Sequence, residues 1–247
     1  MYPSSPHIPQ EKIIKWSLRT LVSLIAAIGL LSLLGWETDS PALTSWQSDG
    51  QTMAPITAML SLLFSIALGL CLLAPSSRSV TVCVKLISWL SSLMALLLCF
   101  LRINADYLPA EHLGFSINGF LGNVPVGYIS IITAFCFLLA FINLLILNTP
   151  KPVIVWRLGL GWGFAGIILF MSAVFLLAYA FDIPLISVSR IILPALNTLI
   201  LLSLIGFALL IFNYQVFLRQ SVSQSVSQSV SQSVSQSVSQ SVRYYVF

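Results

Sequence analysis

Charge is what this chain lacks most: 7% of its 247 residues are Asp, Glu, Lys or Arg, against about a quarter in an ordinary soluble domain. A surface cannot be solvated with so few ionic groups, so a water-soluble globular class is excluded. Histidine is nearly absent, with only His7 and His112, and neither has a second histidine at i+4. Seven acids and two histidines supply no paired carboxylates and no nucleophile with its base, so an enzyme is not expected and no catalytic residue is assigned. The four cysteines, Cys71, Cys83, Cys99 and Cys136, sit in or beside apolar runs without C-x-x-C spacing. That arrangement argues for packing and against zinc, and neither metal nor cofactor is expected. The eleven Lys and Arg, net charge +4, are scattered singly between apolar stretches, which excludes a nucleic-acid face.

What the chain has instead is hydrophobic length. With 58% apolar residues and a mean hydropathy of +0.99, six segments approach the roughly 20 residues a spanning helix needs: 17–36, 54–75, 80–101, 127–147, 156–180 and 192–214. Lys85 lies one turn inside the third, where its stem can carry the ammonium to the headgroups. The charge-free stretch from Leu113 to Pro150 is too long for one crossing. Gly114, Gly119, Gly122, Pro125 and Gly127 break its first part into loop or re-entrant backbone, so the fourth span is expected to begin near Tyr128. The apolar run after Lys12, Lys15 and Arg19 has no small-residue cleavage pattern and reads as a retained first helix.

The loops orient these spans. An N-terminus in the cytoplasm puts nine cations inside (Lys12, Lys15, Arg19, Arg78, Lys85, Lys151, Arg157, Arg219, Arg243) and two outside (Arg102, Arg190), with six of the seven acids outside. An even number of crossings returns the C-terminus to the cytoplasm. The expected fold is therefore all-α and polytopic, N-in and C-in, in the cell membrane. Residues 1–15 form a cytoplasmic segment, 16–218 the six-helix domain and 219–247 a low-complexity tail.

An internal repeat runs through the even-numbered helices. Met53-Ala54-Pro55-Ile56-Thr57-Ala58 opens the second, Ile129-Ser130-Ile131-Ile132-Thr133-Ala134 the fourth, and Pro194-Ala195-Leu196-Asn197-Thr198-Leu199, more loosely, the sixth. Three helix hairpins in one orientation follow from this pattern. If they pack about a common axis, Thr57, Thr133, Asn197 and Thr198 converge as candidate ligand-binding residues. The alternative is that these hydroxyls and amides bond the backbone or a neighbouring helix, as do those of Asn143 and Asn213. Gly159, Gly163 and Gly166 lie on adjacent faces of the fifth helix, Gly159 and Gly163 in the small-xxx-small spacing that permits close helix approach, with a flexible hinge as the alternative.

These helix starts, with Gly119-Phe120-Leu121-Gly122-Asn123-Val124-Pro125-Val126-Gly127 ahead of the second copy, resemble the N-terminal multi-pass sensor region of bacterial PAS-containing histidine kinases and diguanylate cyclases. The resemblance covers about residues 15–218. It implies a non-catalytic membrane input module that passes an outer or bilayer signal to a cytoplasmic partner, its own kind or an intact sensor kinase. Ile131 stands where the pattern has proline, the third copy is degenerate, and no PAS, kinase or cyclase sequence follows Arg219. The expectation is thus a sensor cut off before its output domains. A small transporter or channel-like protein is the second expectation, from the internal symmetry and the mid-span asparagines, although no ionisable group lies deep in a span.

Residues 220–242 repeat Gln-Ser-Val-Ser without departure, and all four codons can be read from one repeating AGTC tetranucleotide. Translated repeat DNA of this kind can switch reading frame by slippage. The segment has no large apolar group to bury, and disorder is its expectation.

Overall fold

The computed structural model describes residues 7–46, 51–74, 77–104, 106–115, 117, 120–121, 124–149, 153–181 and 192–245. The expected outer positions Asp182 and Arg190, and Gly119 and Gly122 of the glycine-rich stretch, lie outside the described residues.

The first helix, α1 (His7–Glu37), stops where Asp39 takes φ 49°, a left-handed position that ends helical hydrogen bonding. One turn, α2 (Pro41–Thr44), follows with proline at its start, where the missing N–H costs nothing. Trp36 Nε1 donates to the Met53 carbonyl at 2.8 Å and Met53 N to the Thr44 carbonyl at 2.8 Å, which folds residues 51–54 back over the end of α1. Pro55 then opens α3 (Pro55–Leu73), and α4 (Arg78–Ile103) returns. A 3-10 turn, η1 (Pro109–His112), and a two-residue antiparallel pair, β1 (Phe120–Leu121) with β2 (Val124–Pro125), lead to α5 (Ile131–Leu147). The chain closes with α6 (Val155–Ala180) and α7 (Leu196–Tyr245).

Among the described residues five helical segments are long and apolar enough to cross a membrane: Glu11–Glu37, Pro55–Leu73, Arg78–Ile103, Val155–Ala180 and Leu196–Gln232. That is the make-up of a polytopic membrane protein. The fourth expected span is shorter than the sequence suggests. Ser130 caps α5 by accepting from Thr133 N, so the helix begins at Ile131 and not near Tyr128, leaving 17 residues. At 1.5 Å per residue that is about 26 Å, a little under a bilayer core of about 30 Å. The expected break in the glycine-rich stretch is present at Gly114 (φ 91°) and Gly127 (φ 84°). At Gly127 an added Cβ would also lie 2.9 Å from Ile117, so no larger residue fits that bend.

Consecutive helices pack as neighbours, α1 with α3, α4 with α5 and α6 with α7, while α3–α4, α5–α6 and α7–α1 contacts close a ring. Further contacts of α5 with α3 and α7 place these three toward the centre. Burial agrees: 56% and 61% of the apolar windows of α3 and α7 are buried, against 28%, 33% and 22% for α1, α4 and α6. The outer helices turn large apolar side chains outward, among them Leu34, Trp89, Leu90, Phe170 and Leu177, a surface suited to lipid and not to water. Where α4 meets its neighbours it uses Ser88, Ser91, Ser92 and Ala95, whose small side chains let backbones approach. Phe64, Phe137 and Phe141 fill the centre, Phe64 meeting Phe141 edge-on with ring centroids 6.0 Å apart.

Two expectations are corrected. The repeat tail is not disordered: α7 continues through it to Tyr245. The apolar part of α7 has already met the unfavourable nucleation step, so each further residue adds one hydrogen bond at the cost of fixing one residue. Serine hydroxyls in the tail are satisfied by donating to carbonyls three residues back, as in Ser225 to Val222 at 2.8 Å and Ser229 to Val226 at 2.9 Å. Nor do Gly159, Gly163 and Gly166 make a close helix contact, since a Cβ at any of them would find nothing within 4 Å. Close approaches occur instead at Gly29, where a Cβ would lie 2.3 Å from Ser61 Oγ, at Gly206, 2.6 Å from Leu169, at Gly35, 2.7 Å from Leu43, and at Gly161, 3.1 Å from Leu147.

Candidate functional site

The last turn of α4 carries Arg102, a cation at the negative end of a helix dipole. Its side chain turns inward: Nε donates to the Ile129 carbonyl at 3.0 Å, one terminal nitrogen to the Asp106 carbonyl and the other to Glu111 Oε1. The Arg102 and Glu111 side chains are 5% and 3% exposed, so this is a buried ion pair and not a surface one. Two tyrosines pack on the guanidinium, with the Tyr107 ring centroid at 4.6 Å and that of Tyr128 at 5.2 Å, and the two rings meet edge-on at 5.0 Å. His112 lies against Tyr128, centroids 4.5 Å apart.

One cation thereby ties together the end of α4, the turn η1 and the backbone leading into α5. The pairing is incomplete on the acid side. Glu111 Oε2 and His112 Nε2 are both buried without a hydrogen-bond partner. Burial pushes the His112 pKa below its ordinary value, and the charge of Glu111 opposes that shift only in part. His112 is half-buried in η1, against the solvated loop position expected for an isolated histidine. A neutral imidazole and a half-satisfied carboxylate on adjacent residues form a place where one proton alters the local bonding. Among the described residues no three His, Cys, Asp or Glu gather closely enough to hold a metal ion.

The residues singled out from the sequence repeat are all buried: Thr57 1%, Thr133 1%, Asn197 1% and Thr198 3% exposed. No hydrogen bond joins the three helix starts to one another among the described residues; the partners of Thr133 and Asn197 are local or structural. Thr133 Oγ1 lies 2.8 Å from Ser130 Oγ within the α5 cap. Asn197 Nδ2 donates to the Thr44 carbonyl at 2.9 Å, hooking the start of α7 onto α2, while its Oδ1 accepts from Thr198 N. Deeper in the bundle, Asn143 Nδ2 donates to the Gly161 carbonyl at 2.9 Å. Asn143 Oδ1 and both amide atoms of Asn213 are buried without partners.

Sequence reasoning missed the Arg102 cluster, and one signal was available. In the topology expected from the sequence Arg102 is a cation on the side where acids collect, at the end of an apolar helix, and nine residues later comes Glu111. A charge against the prevailing bias at the rim of a lipid-facing bundle needs a partner.

No protein-family model matches the chain, and neither a curated protein sequence nor a solved structure matches it.

Proposed function

We propose that the chain is a non-catalytic sensory input module of the cell membrane, six crossings arranged as three helix hairpins with both termini in the cytoplasm, and that α7 is its output lever. The observation that carries this reading is the continuity of α7. It runs 50 residues without a break, from the Asn197 hook on Thr44 through the bundle centre to Tyr245. At 1.5 Å per residue it is about 75 Å long, more than twice the roughly 30 Å hydrocarbon thickness. A stiff rod anchored at one face and projecting from the other converts a small displacement at the Arg102 and Asn197 end into movement beyond the opposite face. A signal acts only by favouring one of two packings of the bundle, and the incompletely bonded Glu111 and His112 lie where the outer loops would bear on such a choice.

The test is a fusion of residues 1–219 to a reporter kinase with one to four residues inserted at the junction. Each insertion rotates the output by about 100°, so reporter activity is expected to rise and fall with helical period. Activity indifferent to insertion would end the lever reading. A transporter is favoured by one observation only, the unpartnered amide atoms of Asn143 and Asn213 in the core. Solute flux through proteoliposomes holding the chain, lost on replacing both asparagines by leucine, would favour it instead.

A further inference from the structure

Where α7 leaves the bundle, at the end opposite Arg102, the helices leave a cavity of about 330 Å³, within the range of small-ligand sites. Its wall is divided by chemistry. Leu147, Phe212 and Val216 form an apolar side, and Asn148, Arg219 and Ser223 a polar one. Among the described residues no Asp or Glu contributes to the lining. Arg219 has no carboxylate within salt-bridge distance among the described residues; Glu11, which feels its charge, is engaged by Lys15 at 2.6 Å. Gln220 spans the opening, its Nε2 donating to the Val153 carbonyl at 2.7 Å while its Oε1 is buried without a partner.

We infer that this cavity binds a phosphate-bearing amphiphile, with the phosphate on Arg219 and the neighbouring hydroxyl and amide donors and the aliphatic stem along Leu147, Phe212 and Val216. An unneutralised guanidinium matches phosphate oxygens in geometry and charge. Leu147 and Phe212 belong to the apolar parts of α5 and α7 and Arg219 lies beyond them, so the aliphatic stem is directed toward the bundle and the phosphate away from it. The inference does not depend on the sensory reading, because the cavity is built by α3, α4, α5 and α7 whatever the lever transmits.

The test is native mass spectrometry on the full-length chain, delipidated in detergent and titrated with phosphatidylglycerol or phosphatidylcholine. One bound phosphatidylglycerol is expected to persist where phosphatidylcholine is stripped. Arg219→Gln should weaken its retention about fivefold, the effect of one basic side chain at a lipid surface. Arg78→Gln removes the same charge from the exposed start of α4, outside the lining, and should leave retention unchanged. Val216→Trp fills the apolar side and should abolish retention. Competition with inorganic phosphate and glycerol phosphate distinguishes the source: displacement at millimolar concentration assigns the site to a free phosphate ester, and failure to displace assigns it to lipid. Equal weakening by Arg219→Gln and Arg78→Gln overturns the proposal, as does a folded Val216→Trp chain that retains the lipid. If Val216→Trp does not fold, the two arginine variants decide.

Discussion

Arg102 and Glu111 form a buried ion pair nine residues apart in the chain, with Tyr107 and Tyr128 packed on the guanidinium. Removing one member leaves the other charge buried and unmatched, which typically costs about 3–5 kcal/mol. Glu111→Leu is therefore expected to lower the thermal unfolding midpoint in detergent sharply. The double variant Arg102→Met with Glu111→Leu should recover part of that loss, because no stranded charge remains. Additive losses in the double-variant cycle would show that the pair contributes nothing as a pair.

His112 predicts a pH dependence with a definite sign. Its pKa is lowered in the folded chain, so folding favours the neutral imidazole. The stability it contributes is present above the unfolded value of about 6.5 and is lost as pH falls through the lower folded value. Thermal midpoints measured from pH 7.5 down to 5 should fall on the acid side, and His112→Gln should flatten that limb. An unchanged acid limb in the variant would assign the dependence to another group.

The apolar helices were legible because crossing lipid requires length and hydropathy alone, and neither depends on knowing the neighbours. Pro55 opens α3, as its place in the first turn of that helix requires. The faces of those helices were not legible. On α6 apolar residues cover every side, and lipid and protein interior make nearly the same demand of a side chain, so the spacing of Gly159 and Gly163 could not say which side meets α7. The Arg102 cluster was hidden for another reason, since it gathers Arg102, Glu111, Tyr128 and Ile129 across a loop whose path no periodicity specifies. The tail misled through composition: Ser, Gln and Val bury nothing, yet a helix already formed upstream can extend through them. Thr57, Thr133, Asn197 and Thr198 were found as buried helix starts, but the bonds seen at Thr133 and Asn197 hold the fold.

The glycines separate into two classes that substitution can distinguish. Gly159→Ala and Gly163→Ala add a methyl group where nothing lies within 4 Å, and should stabilise α6 by about 0.5–1 kcal/mol each through the loss of glycine's backbone freedom. Gly29→Ala would bring a Cβ within 2.3 Å of Ser61 Oγ and 3.1 Å of the Ala58 carbonyl oxygen. Separating α1 from α3 to accommodate it should cost about 1–3 kcal/mol. Unfolding midpoints of the three variants in one detergent give the comparison, and a Gly29→Ala chain as stable as the parent would show that the α1–α3 contact is looser than described.

Asn213 offers the sharpest contrast with its neighbour Asn143. Both side chains are fully buried, and both reach Gly161, whose added Cβ would lie 3.3 Å from Asn143 Oδ1 and 3.3 Å from Asn213 Nδ2. Only Asn143 makes a hydrogen bond, to the Gly161 carbonyl. An unpaired amide in an apolar interior is unfavourable by about 1–3 kcal/mol, so Asn213→Leu, which keeps the same heavy-atom branching, should leave stability unchanged or raise it. Asn143→Leu gives up a bond of about 0.5–1.5 kcal/mol that joins α5 to α6 and should lower it. Should Asn213→Leu prove the more damaging, Asn213 is engaged with a polar group in the working protein, and the core of the bundle, not its Arg102 end, becomes the first place to look for a ligand.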